Sequence, residues 1–370
     1  MVFGKNILCP YCLNKLSDAD VKIVCNICGE EITPTRIEKI RRIPPRCKTP
    51  GCRGKGSKRQ CRICTEELPA DIMDYSKYLR FSILGITGAG KTVFLTTMMH
   101  ELVTNVANFP MIFQTMNDKT QTEFRRQEEN LFNKGEMPAP TQAGIAPEPQ
   151  LWRIKDKNRM TDSSIPSYSM TIFDGAGEDS EHIDPTISRY IEGSKTLIIL
   201  VDPLALPGVS DMVDERIRTN STKAVHGIGA STDMVNGLAA YIRQSCGLSP
   251  NKLISKDIAI VFTKFDTVRS SFGQATVTKP SPHLVRKGFV KADADAVDLE
   301  IRDWLVRHGE STFIDTVETN FKKDKVRFFG VSSLGQAPKD ANQTGKIVPH
   351  RVIDPMVWML SKEGIVPVLE

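Results

Sequence analysis

Short apolar runs alternate with segments of helical periodicity along the chain beyond residue 77. The strand-like runs cover residues 79–84, 170–173, 196–201, 257–262 and 326–331. Helical spacing of apolar side chains covers residues 92–106, 233–245 and 295–308. Strands that alternate with helices form parallel sheets covered on both faces. The pattern therefore predicts an α/β domain with a mostly parallel sheet flanked by helices.

The first part of the chain lacks these long apolar periods and is rich in Cys, Pro and basic residues. A boundary near residues 66–77 is therefore predicted, with a small Cys-rich module over 1–70 and the α/β domain over 77–370. Long intervals between the strand signals predict insertions at about 107–150 and 205–250. The chain has no apolar run of membrane-spanning length and its first residues lack a signal-peptide core, so a cytoplasmic location is expected.

Eight of the nine cysteines lie between Cys9 and Cys64, and such clustering favours metal binding over disulfides. The spacing Cys9-x2-Cys12-x12-Cys25-x2-Cys28 predicts one tetrahedral Zn²⁺ site formed by two turns of a hairpin. A second Zn²⁺ site is predicted from Cys47, Cys52, Cys61 and Cys64, although ligands could also interleave between the two sites. Closed four-thiolate sites are structural, so zinc is expected to fold a docking module.

The segment from Arg36 to Arg62 contains eleven Lys and Arg residues and one acidic residue, Glu38. Its charge of +10 exceeds the +5 of the whole chain, so the remainder carries −5. Such a stretch can bind nucleic acid through its phosphates, or an acidic partner. It has almost no aromatic residues for stacking on single-stranded bases, which weakens the case for specific single-strand binding.

The stretch from Gly85 to Thr92, GITGAGKT, matches G-x-x-x-x-G-K-[ST] and lies between a predicted strand and a predicted helix. Its glycines let backbone N–H groups converge on phosphates at a helix N-terminus. Lys91 would neutralise the β- and γ-phosphates, and the Thr92 hydroxyl would bind Mg²⁺. The nucleotide-binding residues predicted in this loop are Gly85, Thr87, Gly88, Ala89, Gly90, Lys91, Thr92 and Val93.

Two further motifs follow predicted strands. In FDGAGED, Asp174 ends a strand and could hold Mg²⁺ through water, while the Gly177 N–H could contact the γ-phosphate. In Thr263-Lys264-Phe265-Asp266, the carboxylate of Asp266 can accept hydrogen bonds from N1–H and the N2 amine of guanine, a donor pair that adenine lacks. Lys264 could lie along the base and ribose.

A last motif, FFGVSSLG, ends a predicted strand at Ser332 and Ser333, where a backbone N–H could meet the guanine O6 atom. Together the four motifs resemble those of Ras-like P-loop GTPases of the TRAFAC class, over roughly residues 79–361. The resemblance implies a GTPase that binds GTP or GDP with Mg²⁺. The Cys-rich module and the phrases FDGAGED, LVDP and VIDPMVWML more narrowly resemble bacterial double-GTPase type proteins, which are associated with conflict or defence systems.

The family also needs a switch I threonine, for which Thr141 is the chosen candidate and Thr120 and Thr122 are alternatives. Family members often carry Gln directly after Asp-x-x-Gly, whereas this chain has Glu178. A carboxylate there would face the γ-phosphate, so slow or partner-stimulated hydrolysis is expected.

The resemblance implies a switch protein that controls binding to a protein partner through its switch regions and zinc module. The alternative is a nucleic-acid-binding factor with a regulatory GTPase domain. GTPases of this broad class can also pair across their nucleotide sites, so a homo-oligomer is compatible with the resemblance.

Overall fold

The computed structural model describes residues 7–41, 43–86, 88–105, 109–138, 148–156, 167–174, 185–210, 230–336 and 344–370. Its first sheet belongs to the Cys-rich region and has three antiparallel strands in the order β1-β2-β3. These strands are β1 (Val21–Cys25), β2 (Gly56–Cys61) and β3 (Glu67–Leu68). The predicted boundary, residues 66–77, includes β3 and ends at Lys77, the first residue of the first strand in the larger sheet.

The remaining strands are β4 (Lys77–Gly85), β5 (Met111–Thr115), β6 (Gln150–Asp156), β7 (Ser167–Asp174), β8 (Thr196–Val201), β9 (Asp257–Phe262), β10 (Phe289–Val290), β11 (Val326–Gly330) and β12 (Val368–Leu369). Seven of them form one sheet in the order β11-β9-β8-β4-β7-β6-β5, while β10 pairs with β12. The strands from β11 to β7 are parallel, and β6 and β5 continue the sheet in antiparallel pairing.

The helices are α1 (Arg36–Arg41), α2 (Lys91–Thr104), α3 (Asp118–Glu128), α4 (Pro185–Gly193), α5 (Pro207–Ser210), α6 (Ala230–Ser245), α7 (His283–Arg286), α8 (Lys291–Arg307), α9 (Ser311–Asn320) and α10 (Asp354–Lys362). A π-helical turn, Glu129–Lys134, continues α3. None of the helices in the described part of the chain is long and apolar enough to cross a membrane.

Strands β8 and β9 lie inside the large sheet, each between two neighbouring strands, and all their residues are buried. This burial explains why TLIILV and DIAIVF are both apolar after their first residue, because inner parallel strands are covered on both faces. The main core joins these strands to apolar side chains of the flanking helices, including Phe94 and Trp304. The predicted α/β fold, with a mostly parallel sheet preceded by a small Cys-rich module, is confirmed.

Candidate nucleotide-binding site and metal centres

The sequence motifs beyond residue 77 follow strands that end at one edge of the large sheet. Parallel pairing aligns Gly85 at the end of β4 with Leu200 of β8, and Val201 with Phe262 at the end of β9. The end of β11 is aligned with the same residue of β9. Because the carboxyl ends of parallel strands meet at one edge, the loops that follow them converge there, which is where open α/β sheets bind ligands.

The loop between β4 and α2 contains backbone conformations that favour glycine. Gly88 and Gly90 have φ angles of 80° and 82°, which other residues rarely adopt. A Cβ atom at Gly85 would lie 3.0 Å from the backbone oxygen of Leu200, so glycine also permits the close approach of β4 and β8. Gly90 is the residue before the first turn of α2, so the loop ends at the N-terminus of a fourteen-residue helix.

Lys91 is nearly buried inside this loop. Its Nζ atom donates hydrogen bonds to the backbone oxygens of Gly85 at 2.7 Å and Ile86 at 3.4 Å. The ammonium group is therefore enclosed by the loop at the start of α2, where the helix dipole and the cation both favour an anion.

Asp174 is the last residue of β7 and is paired with Ile83 of the neighbouring β4, which places its backbone at the same sheet edge. The predicted switch residues Thr141, Gly177 and Glu178, and Thr87 of the loop, lie outside the described residues. Of the two alternatives for Thr141, Thr120 is buried and its hydroxyl accepts a hydrogen bond from Leu151 N–H at 3.0 Å. That bond ties α3 to β6, so Thr120 has a structural role.

The motif after β9 brings Asp266 and Ser332 together, although 66 residues separate them in the chain. The Ser332 hydroxyl donates a hydrogen bond of 2.5 Å to Asp266 Oδ1. Both residues line a cavity of about 380 Å³ together with Phe265 and His350. This cavity has the size of a small-molecule site, and the carboxylate in its wall can accept hydrogen bonds from a planar donor pair.

Of the two serines whose backbone N–H could meet the guanine O6 atom, Ser332 already donates its N–H within the protein. Ser332 N–H donates to the backbone oxygen of His350 at 3.0 Å, and His350 N–H returns a bond of 2.8 Å. The Ser332 amide is therefore engaged within the protein. Among the described residues no hydrogen-bond partner is found for Ser333 N–H, which leaves that amide as the candidate donor in this motif.

His350 and Arg351 shape this cavity and were not found from the sequence. The His350 ring stacks on Phe265 and donates from Nε2 to the backbone oxygen of Val277 at 2.7 Å. Burial lowers the pKa of His350, which fits a neutral ring. Arg351 is buried, and all five of its N–H groups donate, to Asp293, Asp354 and the backbone oxygens of Thr276 and Lys279. These bonds fasten the segment that pairs with Ser332.

Asp202, directly after β8, is another functional candidate that the motif search missed. Its side chain is fully buried, and Oδ2 lies 2.7 Å from the Nζ atom of Lys264. The other oxygen, Oδ1, accepts a hydrogen bond from Leu204 N–H at 3.0 Å. Lys264 itself has a φ angle of 51°, so a strained backbone and an ion pair with a buried carboxylate both fix its direction. The sequence signal for Asp202 was a carboxylate directly after a buried strand, within the phrase LVDP, to which no role was assigned.

We expect Asp202→Asn to weaken guanine-nucleotide binding by about tenfold, because an uncharged partner releases the Lys264 ammonium at a cost of about 1–2 kcal/mol after solvent screening. Asn keeps an oxygen for Leu204 N–H, so the local turn should remain. Titration of the purified variant with a fluorescent guanine nucleotide measures this effect.

A matched control for this variant is Asp257→Asn at the opposite end of β9. Asp257 is also nearly buried and lies 3.2 Å from Lys325 Nζ. The two variants should lose comparable stability in thermal unfolding, yet only Asp202→Asn should change nucleotide affinity. Equal nucleotide affinities in both variants would show that the Asp202 pair is structural only.

In the Cys-rich module the cysteines form two groups of four, but not in the pairing that spacing suggested. The outer site, as we name it, consists of Cys9, Cys12, Cys61 and Cys64. The inner site consists of Cys25, Cys28, Cys47 and Cys52. The prediction of one site from the first four cysteines and another from the last four is therefore wrong. Antiparallel pairing of β1 with β2 explains the nesting, because it aligns Val21 with Cys61 and Cys25 with Gly56.

Both sites have the dimensions of tetrahedral zinc. In the outer site the Sγ atoms of Cys9 and Cys64 are 3.6 Å apart, and those of Cys12 and Cys61 are 3.9 Å apart. The two corresponding distances in the inner site are both 3.6 Å. Zn–S bonds of about 2.3 Å in a tetrahedron separate the sulfurs by about 3.8 Å. These distances match that geometry, and all four sulfurs of each site lie within 4.8 Å of one another, so each site can hold one Zn²⁺.

Backbone amides of the inner site point at three of its four sulfurs. Backbone N–H groups of Ile27, Thr49 and Gly54 donate to the sulfurs of Cys25, Cys47 and Cys52 respectively. Hydrogen bonds from the Cys28 and Ile27 backbone lower the pKa of Cys25 to about 6. A Cβ atom at Gly54 would lie 2.2 Å from the Cys25 sulfur, so only glycine leaves room for that ligand.

A third group of metal-ligand types, His283, Asp293 and Asp354, does not fit a metal. Arg351 donates to both carboxylates and occupies the space between them. His283 Nδ1 accepts a hydrogen bond from Val290 N–H, which leaves the ring proton on Nε2 and removes the free lone pair that a metal needs. This group is an ion-pair network that supports the cavity wall.

The outer site packs against the α/β domain beside α4. Tyr11, between two ligands of that site, accepts a hydrogen bond on its backbone oxygen from Tyr190 of α4 at 3.4 Å. Its hydroxyl accepts one from Asn117 Nδ2 at 3.0 Å. Leu13 approaches Gly193 at the end of α4. Helix α4 is the first described element after Asp174, so the zinc module contacts the helix that follows the predicted switch segment.

No family model matches this chain, and no curated protein matches it. Among solved structures, the GTPase-like domain of S. cerevisiae Ski7, bound to GDP and inorganic phosphate, is 11% identical, with a TM-score of 0.34 over 80% of this chain and 52% of that chain. Sup35 complexed with GDP is 13% identical over 71% and 39% of the two chains, with a TM-score of 0.25.

Bacterial selenocysteine-specific elongation factor EF-Sec is 15% identical over 70% of this chain and 26% of its own, with a TM-score of 0.24. This chain thus spans about half, or less, of the length of these proteins. TM-scores of this size do not indicate a shared overall structure, so the interpretation of the site depends on the geometry of the chain itself.

Proposed function

We propose that this protein is a GTP-binding, Mg²⁺-dependent GTPase that acts as a switch for a protein partner. The observation that carries the proposal is the convergence of the Lys91 loop and the Asp266–Ser332 pair at one sheet edge. The Lys91 loop is suited to phosphates, and the Asp266 carboxylate is suited to a base that presents N1–H and an amine together. Guanine has that donor pair and adenine does not.

Different residues would contact different parts of the nucleotide. Lys91 and the loop amides would bind the β- and γ-phosphates, and Asp266 would bind the guanine edge. Lys264, held by Asp202, would lie along the base and ribose, and Ser333 N–H would meet O6. Thr92 and Asp174 would hold Mg²⁺, which supplies charge neutralisation at the phosphate oxygens.

The module contact at α4 supports a switch role. A change in the segment after Asp174 would shift α4, and the Tyr190–Tyr11 hydrogen bond would pass that shift to the outer zinc site. The zinc module is thus the part of the chain whose position we expect to depend on the bound nucleotide. As part of this proposal, GTP hydrolysis would be slow or stimulated by a partner, with Glu178 near the γ-phosphate. The proposed switch would act in a bacterial conflict or defence system.

Competition among GTP, GDP and ATP for the purified protein, with and without Mg²⁺, tests the nucleotide assignment. We expect GTP and GDP to compete and ATP to fail. Phosphate release from GTP should exceed background and should be lost in Lys91→Ala, because removal of the loop cation costs about 10²-fold or more in related phosphate sites. Equal competition by ATP, or phosphate release that survives Lys91→Ala, would refute the proposal.

A further inference from the structure

The inner zinc site borders a surface that is both basic and aliphatic. Among the described residues, α1 has no buried residue, and Ile37 and Ile40 on this helix are 64% and 72% exposed. Ile43, which follows the helix, is half exposed. Ile27, between two ligands of the inner site, is 68% exposed. Isolated exposed apolar residues are common, but this concentration in one small module requires a physical reason.

A groove of about 400 Å³ runs along this surface. It is lined by Ile32, Thr33, Thr35, Glu38, Ile43, Pro44, Pro45, Arg46, Cys47, Lys48 and Lys55. The groove thus joins the residues on both sides of α1 to the inner zinc site. A backbone bridge between Arg46 and Lys55, and a hydrogen bond from Cys47 N–H to Gly54 O, hold its basic wall in place. Zinc at the inner site would fix the same wall.

The charge of this groove is strongly one-sided. Arg46, Lys48 and Lys55 form no ion pair within the described residues. The single carboxylate, Glu38, is engaged at the start of α1, where it accepts hydrogen bonds of 2.7 Å from both Thr35 N–H and the Thr35 hydroxyl. In contrast, Lys58 and Arg62 elsewhere in the basic segment pair with Glu67 and Glu31. Three cations without an ion pair in the described residues therefore lie beside Ile43, in a groove that also reaches Glu38 of α1, the helix that carries Ile37 and Ile40.

These observations distinguish between two classes of acidic ligand. Nucleic acids offer phosphates to cations and bases to aromatic rings, but the chain has no Phe, Trp or Tyr between Tyr11 and Tyr75. Phosphate contacts alone would leave the isoleucines exposed to water. An acidic peptide segment with aliphatic or aromatic side chains would satisfy both features, since its carboxylates can pair with the cations while its apolar side chains cover the isoleucines.

We propose that the surface formed by α1, the groove and the inner zinc site binds an acidic, apolar segment of a partner protein. We call it the basic–aliphatic face: Ile27, Arg36, Ile37, Lys39, Ile40, Arg41, Ile43, Arg46, Lys48 and Lys55. This inference names the chemistry of the partner and does not depend on nucleotide binding.

Fluorescence anisotropy of the zinc-loaded, full-length protein, without nucleotide, tests the proposal. The probe is a short synthetic peptide in which Asp and Glu alternate with Leu, Ile and Phe at helical spacing. We expect saturable binding that weakens with salt. A peptide with the same acids but Ser at the apolar positions, and one with Gln for the acids, should each bind at least about tenfold more weakly.

Two variants locate the binding on the protein. Ile37→Ser with Ile40→Ser, and separately Lys48→Gln with Lys55→Gln, should each weaken peptide binding by about tenfold or more. The matched control is Val285→Ser with Leu299→Ser, which changes two exposed apolar residues outside the module and should leave binding intact. Zinc content and the thermal unfolding midpoint confirm that each variant is folded.

Three outcomes would overturn the inference. One is peptide binding that is equal for all three peptides, and another is peptide binding that falls equally in the control variant. The third is tighter binding of a single-stranded or double-stranded RNA probe that persists in the isoleucine variant, which would identify a nucleic-acid surface instead. None of these outcomes bears on the GTP assay, so failure here is distinguishable from failure of the GTPase proposal.

Discussion

Asp266→Asn should convert the protein from guanine to xanthine nucleotides. In the native chain the Asp266 carboxylate would accept two hydrogen bonds from guanine N1–H and the N2 amine. Asn replaces one acceptor with an NH₂ donor that faces the guanine amine, so GTP affinity should fall by about 100-fold or more at about 1.5–3 kcal/mol for each bond to a charged group. Xanthine carries an oxygen at that position, which accepts from the Asn amine while its N1–H still donates.

Competition of GTP and XTP for a labelled nucleotide measures this exchange of preference. Ser332→Ala is the informative control, because it removes the hydroxyl that donates to Asp266 Oδ1 and accepts from Gly335 N–H. That variant should lose some affinity for GTP without gaining any for XTP. Native affinity for GTP in Asp266→Asn would refute base recognition at this position, even if the phosphate loop were correctly assigned.

The sheet was predictable because its central strands are buried on both faces. Residues 196–201 and 257–262 coincide with β8 and β9, where the apolar run and the strand end at the same residue. At the sheet edge this signal weakens. β5 has the sequence MIFQT, with two partly exposed residues and one exposed residue among five, and it was not found from the sequence. Edge strands need fewer apolar residues, so their pattern is less distinct.

The site was only partly predictable, for a different reason. Loops that follow parallel strands must converge, so the Lys91 loop and Asp266 could be placed at one edge from their order alone. The contacts of Arg351 and Asp202 depend on which distant segments pack together. Arg351 binds Asp293, 58 residues away, and Asp202 binds Lys264, 62 residues away. Neither interaction has a local sequence pattern, because each one is created by the fold.

The cysteine pairing shows the same limit in the zinc module. The spacing of Cys9, Cys12, Cys25 and Cys28 fits zinc equally well if the four belong to one site or to two. The choice depends on β1 pairing with β2 across a long loop that contains the rest of the inner site. The sequence therefore predicted that each site has four cysteine ligands. Which four cysteines share a site depends on the register of two strands.

Paired substitutions should distinguish the nested arrangement from the sequential one. Cys9→Ser with Cys64→Ser removes two ligands of the outer site alone, so the variant should retain one Zn²⁺ per chain, bound at the inner site. Cys9→Ser with Cys25→Ser removes one ligand from each site and should weaken both. A sequential pairing predicts the reverse: the first variant would damage both sites, and the second only one.

Zinc per chain, measured by metal analysis after competition with a chelator, separates the two arrangements, and Cys246→Ser provides a control because that exposed cysteine belongs to neither site. The outer-site variant should also be the less stable of the variants that lose a single site, since Cys9 and Cys61 are fully buried among Ile7, Leu16 and Leu68. Structural zinc contributes about 10–16 kcal/mol of binding free energy to such modules.

Because Tyr11 lies in the outer site, loss of that zinc should also release the hydrogen bond to α4. Faster proteolysis near α4 in the outer-site variant than in Cys25→Ser with Cys52→Ser would confirm that the outer site fastens the module to the α/β domain, and equal proteolysis would contradict it.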